Sequence, residues 1–121
     1  MTPEKLPDLV NAAPYMRRRG RTLTADVLVD IAPKSWLLRI RDGAIEGVTP
    51  APKGMTGFTM ALRFDPEAWG QFMTPVPPPG RHDLMALVKT GKLKVEGSLH
   101  PFMAHLLWFK EAFAKLRESA R

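Results

Sequence analysis

The sequence contains no cysteine. This excludes disulfides, thiolate metal sites and cysteine nucleophiles together, and it fits a reducing compartment. No apolar run approaches the ~20 residues that a membrane-spanning helix needs. The first ten residues carry Pro3, Glu4, Lys5, Pro7 and Asp8 where a signal peptide would have its apolar stretch. Ser119-Ala120-Arg121 has the leading serine of a peroxisomal address but ends in arginine rather than leucine. The expected location is cytoplasmic. Gly54, Gly57, Gly91 and Gly97 are scattered, with no glycine-rich run before a helix, so no phosphate loop is expected. Histidine is scarce: His82, His100 and His105 are all there are. A zinc site wants at least three converging ligands, and residues five apart do not share a helical face. No metal or other cofactor is expected.

What remains is an ordinary globular composition. The chain has 121 residues, 45% hydrophobic and 25% charged. That length suits one domain, 1–121, with enough core for a modest cavity. The net charge is +6. Part of the excess lies in Arg17-Arg18-Arg19 and Arg21. Such a cluster can hold nucleic acid or an anionic bilayer, but a solvated helix end is the simpler reading. Aromatic residues do not interleave with it as a single-strand platform needs, and Tyr15 alone is near. No nucleic acid partner is expected.

Along the chain, residues 1–21 read as an N-terminal helix and a basic connector. Leu6, Leu9, Val10 and Ala13 keep helical spacing until Pro14 interrupts. From Asp26 to Phe64 the period is two. Val27, Val29 and Ile31 form one inward row, Trp36, Leu38 and Ile40 a second, and Phe58, Met60, Leu62 and Phe64 a third. Asp42-Gly43 predicts a hairpin turn into a strand over 44–48, since glycine tolerates positive φ. Asp65-Pro66 predicts a helix start, with aspartate as cap and proline in the first turn. Trp69, Phe72 and Met73 share its inner face.

Thr74 to Gly80 holds prolines at 75, 77, 78 and 79. The basic residue does not fall in the register a PxxP ligand requires, so the segment reads as a stiff connector. A short helix over 82–90 follows, turning Leu84, Leu87 and Val88 inward and ending at Gly91. Leu93, Val95 and Leu99 mark a last strand. One long helix is predicted from Pro101, with Phe102, Leu106, Phe109, Phe113 and Leu116 as its apolar stripe. Trp108 points away from that stripe. Either it faces a partner subunit or a membrane, or it packs under the N-terminal segment. Strands grouped together, with helices gathered elsewhere, indicate an α+β fold with a largely antiparallel sheet.

Three segments carry a family resemblance: Trp36-Leu37-Leu38-Arg39-Ile40-Arg41-Asp42-Gly43, Phe64-Asp65-Pro66-Glu67-Ala68-Trp69, and Gly91-Lys92-Leu93-Lys94-Val95-Glu96-Gly97. With them, residues 24 to 117 resemble the sterol carrier protein 2 family, as a free-standing, bacterial-type member. The resemblance implies a five-stranded sheet covered on one face by helices. It also implies an apolar tunnel between them for sterols, fatty acids, acyl-CoA esters or other lipids.

The residues agree with such a tunnel. Seven methionines and six phenylalanines are present, and methionine adapts to varied apolar guests. The candidate wall is Trp36, Leu38, Met60, Leu62, Trp69, Phe72, Met73, Leu84, Met85, Val88, Phe102, Met103, Leu106 and Phe109. Their role would be shape and desolvation rather than chemistry. The plain alternative is that they fill the core. His82 with Asp83, and His105 with Glu111, are the acid–base pairs that can be drawn. Ser98 before His100 lacks a third group to orient a base. The sequence therefore points to a non-catalytic carrier of an apolar ligand, with possible contact to an anionic membrane, a homodimer partner or a partner enzyme. The rival readings are an accessory subunit with a filled core, and a small isomerase or cyclase acting on an apolar substrate.

Overall fold

The computed structural model describes residues 2–52 and 54–119. After a 3₁₀ turn at Pro3–Lys5, α1 (Leu6–Asn11) buries Leu6 and Val10, and α2 (Pro14–Arg19) buries Met16. Pro14 opens a second helix rather than ending the first. Proline has no amide hydrogen to lose at the first helical position, and its fixed φ suits one. The basic run is therefore not a connector. Arg17, Arg18 and Arg19 form the last turn of α2, where cations complement the helix dipole.

Five strands build the sheet in the order β3-β2-β1-β4-β5. They are β1 (Ala25–Ile31), β2 (Lys34–Arg41), β3 (Ala44–Pro50), β4 (Met60–Phe64) and β5 (Leu93–Gly97). The central β1–β4 pair is parallel and the other pairs are antiparallel. Asp42 and Gly43, at φ 51° and 79°, make the β2–β3 turn. Two positive φ values match the right-handed twist of the strands they join. Cross-strand neighbours Leu38, Val27 and Met60, then Trp36, Val29 and Leu62, point to one face and are buried.

The opposite face buries Leu28 and Ala61 and carries an ionic network around them. Asp30 takes a hydrogen bond from Ser35 Oγ at 2.9 Å and an ion pair from Arg63 at 3.2 Å. Arg63 also reaches Glu96 at 2.9 Å, and Arg41 lies 3.0 Å from Asp26. Glu96 first, and Asp30 with it, stabilise the charged guanidinium of Arg63 and raise its pKa, against an opposing effect of burial.

Asp65 caps α3 (Pro66–Phe72), accepting a hydrogen bond from the Ala68 amide at 2.9 Å. The Pro-rich connector then leads to α4 (Leu84–Lys89). Gly91, at φ 74°, terminates it: the Gly91 amide bonds Val88 O and the Lys92 amide bonds Leu87 O. This paired arrangement satisfies carbonyls that the helix end leaves open.

Residues 97–118 depart from the sequence reading. β5 stops at Gly97, so Leu99 is not a strand residue. Gly97 has φ 83°, and a Cβ there would stand 2.6 Å from Thr59 O. Only glycine fits this close passage. The chain then enters α5 (Leu99–Ala104), breaks at His105 (φ −120°, ψ 32°) and resumes as α6 (Leu106–Glu118). The break is held from both sides of the imidazole: Nδ1 lies 3.1 Å from Pro101 O and Nε2 lies 2.9 Å from Thr22 Oγ1. The helix from Pro101 is thus two helices.

Trp108 resolves to the inward placement. It is 1% exposed, and its Nε1 donates to Gly43 O at 3.1 Å. It locks α6 to the β2–β3 turn beside Gly20, which excludes it as a surface anchor for a partner or membrane. One edge of the sheet is closed by α1. Asn11 Nδ2 donates to Ile45 O at 2.8 Å, and its Oδ1 accepts from Ile45 N at 2.9 Å.

Candidate functional site

The layer between sheet and helices is filled by the residues that sequence periodicity turned inward. The floor comprises Trp36, Leu38, Met60 and Leu62, all buried. At one end, Phe64, Trp69, Phe72 and Phe113 form an aromatic cluster with ring centroids 4.8–6.4 Å apart. Edge-on contacts predominate there, as the ring quadrupole favours. Met73 and Leu84 are buried beside this end of the core. At the other end, Phe102 meets Phe109 at 5.4 Å, and Phe109 meets Trp108 at 5.1 Å.

Met85, Val88 and Leu106 are half-buried and pack on the edge of the same core. Met103 departs from the candidate wall: at 47% exposed, it lies on the outer face of α5. The break at His105 explains this, because the spacing rule assumed one continuous helix. Residues outside the expected wall complete the interior. Leu6, Val10 and Met16 come from α1 and α2, and Trp108, Ala112, Phe113 and Leu116 from α6. The stripe of the last helix already contained Phe113 and Leu116. Trp108 and Met16 had no periodic signal of their own.

Among the described residues, none with a polar or charged side chain is buried. The interior can therefore receive apolar surface without stranding a charge, and it offers no ionisable group to act on a guest. Arg117 is half-buried at the rim. Burial lowers its pKa, partly countered by Glu118 and Asp83. Its guanidinium donates to Phe72 O at 2.7 Å and His82 O at 3.2 Å, and lies 4.7 Å from the Phe72 ring centroid. It ties the end of α6 to α3 and the Pro-rich connector.

The acid–base pairs drawn from the sequence do not come together. His105 is engaged with Thr22 and Pro101, while Glu111 pairs with Arg19 at 3.9 Å. Asp83 pairs with Lys110 at 3.2 Å. Ser98 sits at the β5–α5 turn, where its amide bonds Thr59 O. No three His, Asp or Glu side chains converge among the described residues.

Among the described residues, two clefts stand out at the margins of the core. One, of about 760 Å³, lies at the β1–β2 turn and is bordered by Glu4, Asp30, Pro33, Lys34, Trp36 and Arg63. Trp36 is its link to the apolar floor, and the Trp36 indole donates to Glu4 at 3.2 Å. The other, of about 190 Å³, lies between Phe72, His82, Leu84, Lys110 and Arg117. Among the described residues, no helix is long and apolar enough to cross a membrane.

No family model and no curated protein matches the chain. Solved structures do. A crystal structure of sterol carrier protein 2 superposes with a TM-score of 0.76 at 15% identity, covering 93% of this chain and 91% of that one. A conserved hypothetical protein of Thermus thermophilus, described as possibly a sterol carrier protein, gives 0.72 at 16% identity, over 95% of this chain and 83% of that one. UbiJ-SCP2, a ubiquinone synthesis protein, gives 0.59 at 16% identity, over 90% and 85%. At these identities the likeness speaks for architecture alone. The chain has the fold of the sterol carrier protein 2 family.

Proposed function

We propose that this protein binds an apolar, lipid-like ligand (a fatty acid, an acyl-CoA ester or a sterol-like molecule) between its sheet and its helices, and carries it without catalysing a reaction on it. The observation that supports this most directly is the interior itself. It is walled by aromatic, leucine and methionine side chains and has no buried polar or charged residue among those described. A guest there would be held by apolar area removed from water, about 25 cal/mol per Å² before the costs of association. The wall would be the fourteen residues named from the sequence, less Met103. In the described structure these side chains pack on one another, so uptake requires the helical layer to part from the sheet. The broken α5–α6 segment is the piece best built to do so. The same break would let Phe102, on α5, move without α6.

Native mass spectrometry of freshly purified protein, followed by solvent extraction, tests this. The expected result is one added mass, a few hundred daltons for a fatty acid or sterol-like guest and about a thousand for an acyl-CoA ester, that is recovered by solvent extraction. A mass that stays bare after incubation with fatty acids, acyl-CoA and sterols would refute the reading.

The packing of the wall favours a second reading, an accessory subunit whose core stays filled and whose surface meets a partner enzyme. The similarity to a ubiquinone synthesis protein is compatible with it. A bare mass together with co-purification of a defined enzyme would select it. An isomerase or cyclase would need an ionisable group inside the pocket, and the interior supplies none among the described residues.

A further inference from the structure

We propose that the smaller cleft, beside the C-terminal half of α6, holds the free carboxylate of an amphiphilic guest on the guanidinium of Arg117. This rests on the carrier reading and narrows it from apolar guests at large to those with an anionic head. The cleft has a volume of about 190 Å³ and lies between α6 and the segment that enters α4. Its inner wall includes Phe72 and Leu84, which are 2% and 1% exposed and belong to the core. A chain anchored here would run directly into the apolar interior. Lys110, Ala114 and Arg117 line the α6 wall at the four-three spacing of one helical face. Ala114 leaves room between the two cations that a longer side chain would fill.

The carboxylates of the cleft are already engaged. Asp83 pairs with Lys110 at 3.2 Å, and Glu111 with Arg19 at 3.9 Å. Arg117 differs: it forms no ion pair among the described residues. Its Nε and Nη2 donate to Phe72 O and His82 O, which are backbone carbonyls without net charge. Neither bond uses Nη1, so that end of the guanidinium has donors to spare. A guanidinium offers a carboxylate two parallel N–H donors. A half-buried cation without a counter-charge is also unfavourable, and burial lowers the Arg117 pKa accordingly. A guest carboxylate would supply both the paired acceptors and the missing charge. A sterol hydroxyl or an acyl-CoA thioester supplies neither. The site stands at the far end of α6 from the break at His105, so a guest could stay held by its head while α5 moves.

Calorimetric titration with dodecanoate, methyl dodecanoate and dodecanol near neutral pH tests this. The three probes share one chain and differ in the head. Dodecanoate is expected to bind about tenfold or more tightly than either neutral probe, as charge-assisted hydrogen bonds imply. Arg117→Gln should remove that preference. Because this variant also loses the bonds to Phe72 O and His82 O, Ala114→Leu gives a separate check. It keeps Arg117, fills the cleft and should remove the preference as well. Circular dichroism establishes that each variant is folded. Equal binding of all three probes overturns the proposal and leaves the carrier reading standing. Binding of none overturns both. Either folded variant that still prefers dodecanoate overturns the proposal too.

Discussion

Replacing Trp108 by alanine tests the account of the α6–turn lock most directly. The indole is 1% exposed, donates to Gly43 O at 3.1 Å and meets the Phe109 ring at 5.1 Å. Truncating a buried aromatic to alanine costs about 3–5 kcal/mol, of which the lost donor to Gly43 accounts for about 1 kcal/mol. A domain of this size has a total stability of about 6–18 kcal/mol. The variant should therefore melt about 12–20 °C lower, at about 4 °C per kcal/mol. Urea unfolding followed by circular dichroism measures the loss, with coincident fluorescence confirming a two-state transition. A loss below about 1 kcal/mol would refute the lock.

Gly20 sharpens the test. A Cβ there would stand 2.6 Å from Trp108 Cδ1 and 2.8 Å from Gly43 Cα. Gly20→Ala alone should cost about 1–3 kcal/mol through overpacking. Combined with Trp108→Ala, the ring is gone and only the backbone contact remains. The double variant should be less destabilised than the sum, with a coupling of about 0.5–2 kcal/mol. Additive losses would mean that the two residues do not meet.

Three further outcomes are expected. Asn11→Ala removes both hydrogen bonds to Ile45 and should cost about 1–2 kcal/mol in thermal unfolding; an unchanged Tm would show that water replaces the side chain at no cost. Gly97→Ala forces an L-residue to φ 83° against Thr59 O, and should cost about 2 kcal/mol or more in urea unfolding. Arg117→Met removes the donors to Phe72 O and His82 O and should cost about 2 kcal/mol. Arg117→Lys should fail to recover it, because an ammonium lacks the planar fork that spans two carbonyls; full recovery by lysine would reduce the role of Arg117 to charge.

The strands were readable because their alternation has a single solution once one face is apolar. Val27, Leu38 and Met60 share a face in the register observed, and a one-residue slip of any strand would turn its apolar row outward. Local turn chemistry was equally direct at Asp42-Gly43, at Asp65-Pro66 and at Gly91, where one residue type meets one backbone need. What could not be read depends on distant partners. The break at His105 is held by Thr22, 83 positions earlier, and nothing around residue 105 announces it. Missing that break put Met103 on the wall, and missing the close passage at Gly97 put Leu99 on a strand. Pro14 was read as a stop although proline starts helices as readily as it ends them. For the candidate site, the sequence identified the apolar side chains of the core. It did not show whether they enclose a guest or one another, because both uses demand the same residue types.

The two edges of the sheet are unlike. On β3, the carboxamide of Asn11 imitates a neighbouring strand and occupies both the amide and the carbonyl of Ile45. On β5, no sixth strand follows among the described residues. Edge-to-edge growth is thus open in one direction only. An antiparallel meeting of β5 with β5 of another molecule, centred on Val95, would set Lys94 across from Glu96 in both halves. It would also leave two Asn11-blocked edges facing outward. Such a pairing closes at two chains and cannot propagate, so one small amide converts a potential filament-forming sheet into one whose largest edge-paired assembly is a dimer.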